Sequence, residues 1–208
     1  MRSDQRSKPF TYVAIGASDT VGIGADDPQT EGWPALVYER LPRGTRFLRL
    51  GVSGSTAEEA VRAQLPTARA ASPDLVTVWL AVNDFNASVP RNEYLGHLDR
   101  IVGEMAATGA RVFVANVPDL TGIPRYEGIE DHVLRGLISD WNAGIAEVVQ
   151  RHGATLVDLW PSSQGLEDRE ELLSDEDHFH PSTLGHQVLA ALFLEVMSRD
   201  TVVGSAIS

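Results

Sequence analysis

The chain has 208 residues, of which 43% are hydrophobic and 22% charged, a size and balance typical of one globular domain. Its formal net charge of -12 argues against nucleic acid as a partner, because phosphate recognition requires clustered lysine and arginine. It contains no cysteine, which excludes disulfides, thiolate metal sites and a cysteine nucleophile. We therefore expect a single domain over residues 1–208, with flexible tails at 1–8 and about 200–208.

Membrane insertion is not expected from the hydropathy of the chain. The first ten residues are polar and lack the apolar stretch of a signal peptide. The longest strongly apolar run, residues 188–194, is much shorter than the ~20 residues that span a bilayer. The sequence thus predicts a cytoplasmic protein, and it makes no prediction of the oligomeric state.

Apolar strands and amphipathic helices alternate along the chain. Strands are predicted at 10–15, 46–50, 75–80, 111–117 and 154–159. Helices are predicted at 34–41, from about residue 57, at 92–107, at 133–149 and after Pro181. The continuous apolar run at 75–80 is typical of a parallel strand covered on both faces, whereas 46–50 alternates enough to lie near a sheet edge. The pattern predicts an α/β fold, a three-layer α/β/α sandwich around a five-stranded parallel sheet.

Polar segments containing glycine follow the first three predicted strands. They occupy residues 16–24, 51–56 and 81–86, and longer loops at 118–130 and 160–177 follow the fourth and fifth strands. Ligands of such folds bind at the carboxyl ends of the strands, which share one edge of the sheet. We therefore expect these segments to form one site.

The first of these segments presents a serine, Ser18, directly after a buried strand. A serine hydroxyl becomes an effective nucleophile when a histidine accepts its proton and a carboxylate orients that histidine. The candidate base is His180, fixed by Pro181, which is suited to the first turn of a helix. Asp177, three residues earlier, is the candidate carboxylate.

Attack on a carbonyl also requires hydrogen-bond donors for the oxyanion that forms. The backbone N–H of Ser18, the backbone N–H of Gly54 and the side-chain amide of Asn83 are the candidate donors. Glycine permits close backbone approach to a ligand, and an asparagine amide carries two N–H groups.

Four short segments carry a family resemblance. They read G-A-S-D-T-V-G at 16–22, G-V-S-G-S-T at 51–56, A-V-N-D at 81–84 and D-H-F-H-P at 177–181. In this order they resemble the SGNH hydrolases, the superfamily of GDSL-type lipases and esterases, over roughly residues 10–195. The usual forms of the first, third and last segments are G-D-S-x-x-x-G, G-x-N-D and D-x-x-H-P. Ala17 and Ala81 therefore replace a usual Asp and Gly, and Arg49 stands where many relatives carry Asn.

The resemblance implies a flavodoxin-like fold with Ser18 as nucleophile, His180 as base and Asp177 as orienting acid. It also implies that the Ser18 and Gly54 N–H groups and Asn83 form the oxyanion hole. The expected activity is hydrolysis of a small-molecule ester through an acyl-enzyme, as in a carboxylesterase, lipase, lysophospholipase or thioesterase, with no metal or cofactor. Apolar side chains of the two long loops are the expected acyl pocket: Leu120, Ile123, Tyr126, Trp160 and Leu166.

The sequence leaves three alternative functions open. Asp175, Asp177, His178 and His180 have the ligand atoms of a zinc or manganese site. The glycine turn of the first strand is compatible with a flavodoxin-like domain that binds FMN or phosphate, although the chain lacks the P-loop lysine and a G-x-G-x-x-G motif. A binding protein that has lost activity is the third.

Overall fold

A five-stranded parallel sheet forms the centre of the computed structural model, which describes residues 8–207 apart from the side chain of Glu167. The predicted N-terminal tail thus lies outside the described residues except for Lys8. The strands are β1 (Thr11–Gly16), β2 (Arg46–Arg49), β3 (Leu75–Trp79), β4 (Arg111–Ala115) and β5 (Thr155–Val157). Their order across the sheet is β2-β1-β3-β4-β5. The predicted α/β/α sandwich is confirmed, with every strand within a few residues of its predicted position.

Helices join the strands and cover both faces of the sheet. Within residues 8–207 they are α1 (Ser18–Val21), α2 (Trp33–Glu39), α3 (Ala57–Ala63), α4 (Leu65–Ala70), α5 (Ala81–Asn86), α6 (Arg91–Ala106), α7 (Asp131–Arg151), α8 (Trp160–Ser163) and α9 (Thr183–Ser198). Short 3-10 turns lie at Pro124–Tyr126, Leu166–Asp168 and Glu170–Leu172.

The five helices predicted from the sequence are present, and four shorter ones were missed. These are α1, α4, α5 and α8, each of four to six residues. A helix of one or two turns is too short for the 3.6-residue period to show in the sequence. The start of α4 follows from Pro66, since proline lacks the N–H that a helix interior requires and is favoured in the first turn.

The alternation of side chains along β1 divides the core into two layers. Val13 and Ile15 pack on one face of the sheet, in a cluster that includes side chains of α3, α4, α6 and α7. Tyr12 and Ala14 pack on the other face with α2 and α9. The rings of Trp33 and Phe193 stack there with centroids 4.2 Å apart.

Strand position explains which strands are buried. Every residue of β1 and β3 is buried because neighbouring strands and helices surround them. In contrast, β2 lies at the edge of the sheet and is exposed or half-buried along its length. The prediction that residues 46–50 lie near a sheet edge is confirmed.

The buried amide of Gln64 fixes the end of β1. Its Oε1 accepts a hydrogen bond from Gly16 N at 3.0 Å, and its Nε2 donates to Gly16 O at 2.9 Å. The same Nε2 lies 3.3 Å from Ser55 Oγ. Gln64, between α3 and α4, is only 2% exposed. One side chain thus satisfies both polar groups of the last residue of β1, where the chain turns toward Ser18.

The C-terminal residues pack more closely than the predicted flexible tail implies. Val203 is fully buried in the layer that contains α2 and α9. Arg111, at the start of β4, forms an ion pair of 2.9 Å with Asp200. Residues 200–207 therefore lie against the sheet rather than extending from it.

In the described part of the chain, no helix combines the length and the apolar character that a membrane crossing requires.

Replacing Gln64 by Ala is expected to destabilise the protein, because the buried N–H of Gly16 then loses its partner. An unsatisfied buried donor costs about 1–3 kcal/mol, so the free energy of unfolding in urea falls by that amount. Gln150, exposed near the end of α7, provides the matched control Gln150→Ala, for which little change is expected. Equal urea midpoints for the two variants would contradict the assigned role of Gln64.

Candidate active site

Ser18 begins α1, the short helix that directly follows β1. Ala17 joins the two elements in a non-helical conformation, with φ -116° and ψ -144°. The serine is 5% exposed, and its carbonyl accepts hydrogen bonds from Gly22 N and Ile23 N. The structure therefore replaces the predicted glycine turn by a helical turn that ends at Gly22, whose φ is +96°.

Two glycines leave space for Thr20 beneath this turn. A Cβ on Gly16 would lie 1.9 Å from Thr20 Oγ1, and one on Gly51 would lie 2.9 Å from Thr20 Cβ. Thr20 is fully buried between them. Close packing of the first two glycine-containing segments around Thr20 thus fixes the position of the serine turn.

Asp177 and His180 form the hydrogen-bonded pair that the sequence predicts. His180 Nδ1 lies 2.5 Å from Asp177 Oδ2, and Asp177 Oδ1 accepts from the backbone N–H of Phe179 and of His180, both at 3.0 Å. Partial burial alone would raise the pKa of Asp177, but its hydrogen bonds with His180 and Phe179 outweigh this and hold the pKa below its usual value. The carboxylate is therefore ionised and able to orient the imidazole.

The last helix starts after Pro181, as predicted, but Pro181 is not in its first turn. Its first residue is Thr183, and Ser182 is the N-cap, with Ser182 Oγ accepting from Gly185 N at 3.1 Å. Pro181 lies before the helix, in an isolated β-bridge with Leu173. The capping hydroxyl, rather than the proline, determines where α9 starts.

His186, a buried histidine of α9, holds the loop that contains Asp177 and His180 against the segment that follows Ser18. The ring of His186 accepts from Trp33 N at Nδ1 (3.3 Å) and lies 3.0 Å from Ile23 O at Nε2. These partners require a neutral ring protonated at Nε2, and burial lowers the pKa of His186, which agrees with that form. Gly24 packs directly on the loop, since a Cβ there would lie 3.1 Å from His180 Cβ.

Ser18 and His180 thus share one end of the sheet without a direct hydrogen bond. Within residues 8–207, Ser18 Oγ makes no hydrogen bond to His180. Asp19, the neighbour of Ser18, does interact electrostatically with His180. Catalytic hydrogen bonds are often long without substrate and tighten in the complex.

The two remaining oxyanion candidates lie on adjacent segments. Asn83, in the first turn of α5, donates from Nδ2 to Ser55 O at 3.1 Å. Gly54 has φ +80°, and no atom lies within 4 Å of where its Cβ would be. The positive φ favours glycine at this position, and the open space beside it leaves room for the close approach of a ligand.

Asp84, the buried neighbour of Asn83 in α5, links α5 to the start of α3, which follows the segment that contains Gly54. Both carboxylate oxygens accept from Ala57 N, at 2.9 and 3.2 Å, where α3 begins. Thr56 and Glu59 form a capping box at that helix start. Burial raises the pKa of Asp84 to about 7, although the bond from Ala57 N–H opposes the shift. Asp84 is a structural partner of α3.

Comparison with known proteins identifies the family of this arrangement. A sequence profile of the GDSL-like lipase/acylhydrolase family matches residues 14–188. The chain belongs to this family. It is therefore an ester hydrolase of the GDSL (SGNH) type.

Similar proteins cover nearly the whole chain. An acetylxylan esterase of Geobacillus stearothermophilus is 24% identical over 207 residues, covering 95% of this chain and 90% of the relative. The crystal structure of LAE5, an alpha/beta hydrolase enzyme from the metagenome of Lake Arreo in Spain, aligns with TM-score 0.72 and 23% identity over 96% of this chain and 97% of LAE5. The crystal structure of TesA aligns with TM-score 0.72 and 21% identity over 90% of this chain and 97% of TesA. The two structures share the fold.

The three departures from the GDSL family pattern have distinct surroundings. Ala17 is 5% exposed and Ala81 fully buried, so both lie in the core. Arg49 donates to Pro28 O and to Gln29 Oε1, both at 2.5 Å. Arg49 thus holds the loop between α1 and α2 instead of facing the serine.

An apolar cavity of about 100 Å³ lies beside the site. Its lining is Asp19, Trp79, Val82, Pro118, Leu120, Ile123, Leu159, Ser162, Ser163, Leu166, Leu172, Leu173, Phe179, Pro181, Gly185, Val188, Leu189 and Leu192. Three of the five predicted pocket residues, Leu120, Ile123 and Leu166, are in this lining. Two are not: Tyr126 donates from its hydroxyl to Asn86 Oδ1 at 2.5 Å, and Trp160 packs against the core.

Sequence reasoning missed the contribution of α9 to the cavity. Val188, Leu189 and Leu192 belong to the apolar stripe that predicted this helix, and a stripe does not distinguish core from cavity wall. Asp19 was also missed as a lining residue. Its position directly after Ser18 was the available signal.

The four side chains predicted as an alternative metal site, Asp175, Asp177, His178 and His180, do not form a metal-binding group. His178, exposed and with φ +49°, lies in a left-handed turn between Asp177 and His180. Over the residues that the structure describes, no group of three or more His, Asp or Glu side chains has a geometry that could hold a metal ion.

The buried carboxyl of Asp84 predicts a pH dependence of stability. Its pKa in the folded protein, about 7, is above the ordinary value of 3.8, so folding binds a proton between these pH values. The contribution is present below pH 4 and is lost as the pH rises to 7. Asp84→Asn should remove this loss, measured by urea unfolding at several pH values from 4.5 to 7.5.

Asp175→Asn, which neutralises an exposed aspartate, is the control and should keep the wild-type pH dependence. Parallel stability curves for the wild type and Asp84→Asn would show that Asp84 does not retain its proton on folding.

Proposed function

We propose that this GDSL-family protein cleaves carboxylic esters of short acyl groups through an acyl-enzyme on Ser18. The observation that carries the proposal is the 2.5 Å contact between Asp177 and His180, on a loop held against the serine turn. It supplies the base and the orienting carboxylate that a serine nucleophile requires. Asn83 and Gly54, on the neighbouring segments, supply donors for the oxyanion.

In the first step His180 activates Ser18. The hydrogen bond to Asp177 places the ring proton on Nδ1, so Nε2 has a free lone pair and accepts the hydroxyl proton of Ser18. Ser18 Oγ then bonds to the ester carbonyl carbon, and the carbonyl oxygen becomes an oxyanion. The N–H groups of Ser18 and Gly54 stabilise this charge, together with the Asn83 N–H that does not bind Ser55 O.

In the second step the acyl group passes to water. The tetrahedral intermediate collapses, the bond to the alcohol oxygen breaks, and His180 donates its proton to the departing alcohol. His180 then takes a proton from water, whose oxygen attacks the acyl carbon. A second collapse releases the carboxylic acid and restores the hydroxyl of Ser18.

The size of the cavity supports a short acyl group. An engineered cavity of about 150 Å³ holds one benzene molecule, so a cavity of about 100 Å³ has room for only a few carbon atoms. Its apolar lining excludes water from an acyl chain. The acetylxylan esterase to which this chain is similar acts, by its name, on acetyl esters.

Replacing Ser18 by Ala is expected to lower kcat for p-nitrophenyl acetate by roughly 10⁴- to 10⁶-fold, because the covalent route is removed. Ser198→Ala, on the exposed last turn of α9, is the matched control and should retain wild-type activity. Mass spectrometry after treatment with an organophosphonate should locate one adduct on Ser18. Near-wild-type turnover by Ser18→Ala would reject the nucleophile.

Acyl-chain preference tests the assigned pocket. In a p-nitrophenyl ester series, kcat/KM should be highest for acetate to butyrate and fall for hexanoate and longer chains. Leu166→Ala enlarges the cavity and should raise the hexanoate-to-acetate ratio of kcat/KM roughly tenfold, the effect of one or two methylene groups in a hydrophobic pocket. Leu184→Ala, exposed on α9 and outside the cavity, should leave the ratio unchanged. Equal ratios in both variants would mean that the acyl group binds elsewhere.

A further inference from the structure

Asp19 is an unusual member of the cavity lining. Among the described residues that form this lining, it alone has an ionisable side chain, and the others are apolar or serine. Its neighbour in the chain is Ser18, and it is half-buried in the first turn of α1. A carboxylate therefore stands between the candidate nucleophile and an otherwise apolar cavity.

The cavity reaches the site on three sides. Asp19 follows Ser18 in the chain, Val82 precedes Asn83, and Phe179 and Pro181 flank His180. All four of these neighbours line the cavity. An acyl group attached to Ser18 that enters the cavity therefore comes close to the lining residue that follows Ser18, Asp19.

The two fully buried aspartates of the described residues, Asp84 and Asp119, are satisfied by protein donors. Asp84 accepts twice from Ala57 N. Asp119 accepts from Thr121 and from Arg135. Within residues 8–207, by contrast, only its own backbone N–H donates to the Asp19 carboxylate.

Burial and two nearby charged groups act on the Asp19 carboxyl. Burial raises the pKa of Asp19, the nearby His180 opposes the shift, and Asp177 reinforces it. Its charge also acts on the Tyr126 hydroxyl, whose proton is already engaged with Asn86. A half-buried carboxylate with so few protein donors is stabilised by a ligand group that supplies a positive charge or a hydrogen bond.

Ser163, one of the two serines in the cavity lining, is not an alternative for this role. Ser163 Oγ donates to Leu159 O at 2.8 Å and accepts from Asp119 N at 2.7 Å. Its hydrogen-bonding capacity is thus used within the protein. Asp19 is thus the ionisable group of the cavity lining that can bind a donor of the substrate.

We propose that Asp19 is a specificity-determining residue that selects acyl groups bearing an ammonium or hydroxyl group next to the ester carbonyl, and disfavours anionic acyl groups. This inference rests on the proposed attack by Ser18. An ammonium or hydroxyl on the carbon next to the carbonyl supplies a donor to this carboxylate beside an apolar cavity, where charged hydrogen bonds are strong. A carboxylate at the same place meets a like charge.

The test uses four ethyl esters of similar size: ethyl propanoate, ethyl glycolate, glycine ethyl ester and monoethyl malonate. For each, kcat/KM is measured by pH-stat at pH 7 and divided by the rate constant of its alkaline hydrolysis, which corrects for intrinsic reactivity. The normalised value for glycine ethyl ester should exceed that for ethyl propanoate by roughly 10- to 100-fold, as for a hydrogen bond to a charged group. The value for glycolate should lie between them, and that for malonate should be lowest.

Variants of Asp19 separate charge from hydrogen bonding. Asp19→Asn should reduce the glycine-to-propanoate ratio by at least tenfold and reduce the glycolate-to-propanoate ratio less, because an amide oxygen still accepts from a hydroxyl. Asp19→Leu should bring both ratios close to one. Asp175→Asn, which removes an exposed carboxylate from the loop of Asp177 without touching the cavity, should keep the wild-type ratios.

Two results would overturn the proposal. Normalised wild-type values that are equal for all four esters would show that the cavity does not select for this donor. A loss of kcat/KM in Asp19→Asn that is the same for all four esters would place the action of Asp19 on His180 instead of the acyl group. If Asp19→Leu does not fold, the comparison of Asp19→Asn with Asp175→Asn still decides.

Failure of the proposed attack by Ser18 would give a different result from failure of the specificity proposal. If Ser18 is not the nucleophile, Ser18→Ala hydrolyses ethyl propanoate like the wild type and the organophosphonate adduct is absent from Ser18. If the adduct forms on Ser18 and the ester ratios are flat, the mechanism stands and the specificity proposal fails.

Discussion

The position of the candidate nucleophile depends on one buried hydrogen-bonded pair, the amide of Gln64 and the peptide groups of Gly16. Strand β1 ends at Gly16, and Ser18 follows two residues later, so any movement of the strand end is passed to the serine. Gln64 binds both the N–H and the carbonyl of that last residue, at 3.0 and 2.9 Å. A planar side-chain amide provides a donor and an acceptor in one rigid group and therefore binds both peptide groups of Gly16, whose carbonyl also accepts from Val52 N at 3.2 Å.

A second set of contacts brings the C-terminal loop to this turn. Asp177 and His180 lie more than 150 residues after Ser18 in the chain, and a short loop cannot hold such a pair in place by itself. His186 contacts the backbone of Ile23 and of Trp33, and Gly24 packs against His180. Asp177 and His180 are therefore placed by the packing of α9 against α2 and against the segment between α1 and α2, which belongs to the core of the fold.

Much of this arrangement could be predicted from the sequence, for identifiable physical reasons. Buried parallel strands are continuous apolar runs, so residues 75–80 predicted β3, and the order of the polar segments predicted that Ser18, Asn83 and His180 meet at one edge. Gln64 could not be predicted, because its partner lies 48 residues away and a lone glutamine has no local pattern. The cavity was only partly predicted, because Leu189 and Leu192 satisfy the same helical period whether they fill a core or line an opening. The sequence does not predict the short helices α1 and α5, because four and six residues are too few for a helical period to be recognised.

Adjacent residues of α5 bind adjacent parts of the segment that contains Gly54. The Asn83 amide binds Ser55 O at 3.1 Å, and the Asp84 carboxylate binds Ala57 N at 2.9 Å. In one contact the side chain of α5 donates, and in the other it accepts. Together the two contacts prevent α5 and the segment that contains Gly54 from sliding or rotating relative to each other. The polar groups proposed to stabilise the oxyanion, on Gly54 and Asn83, are then oriented before any substrate arrives. Such preorganisation lowers a reaction barrier because the protein dipoles need not rearrange as the charge forms.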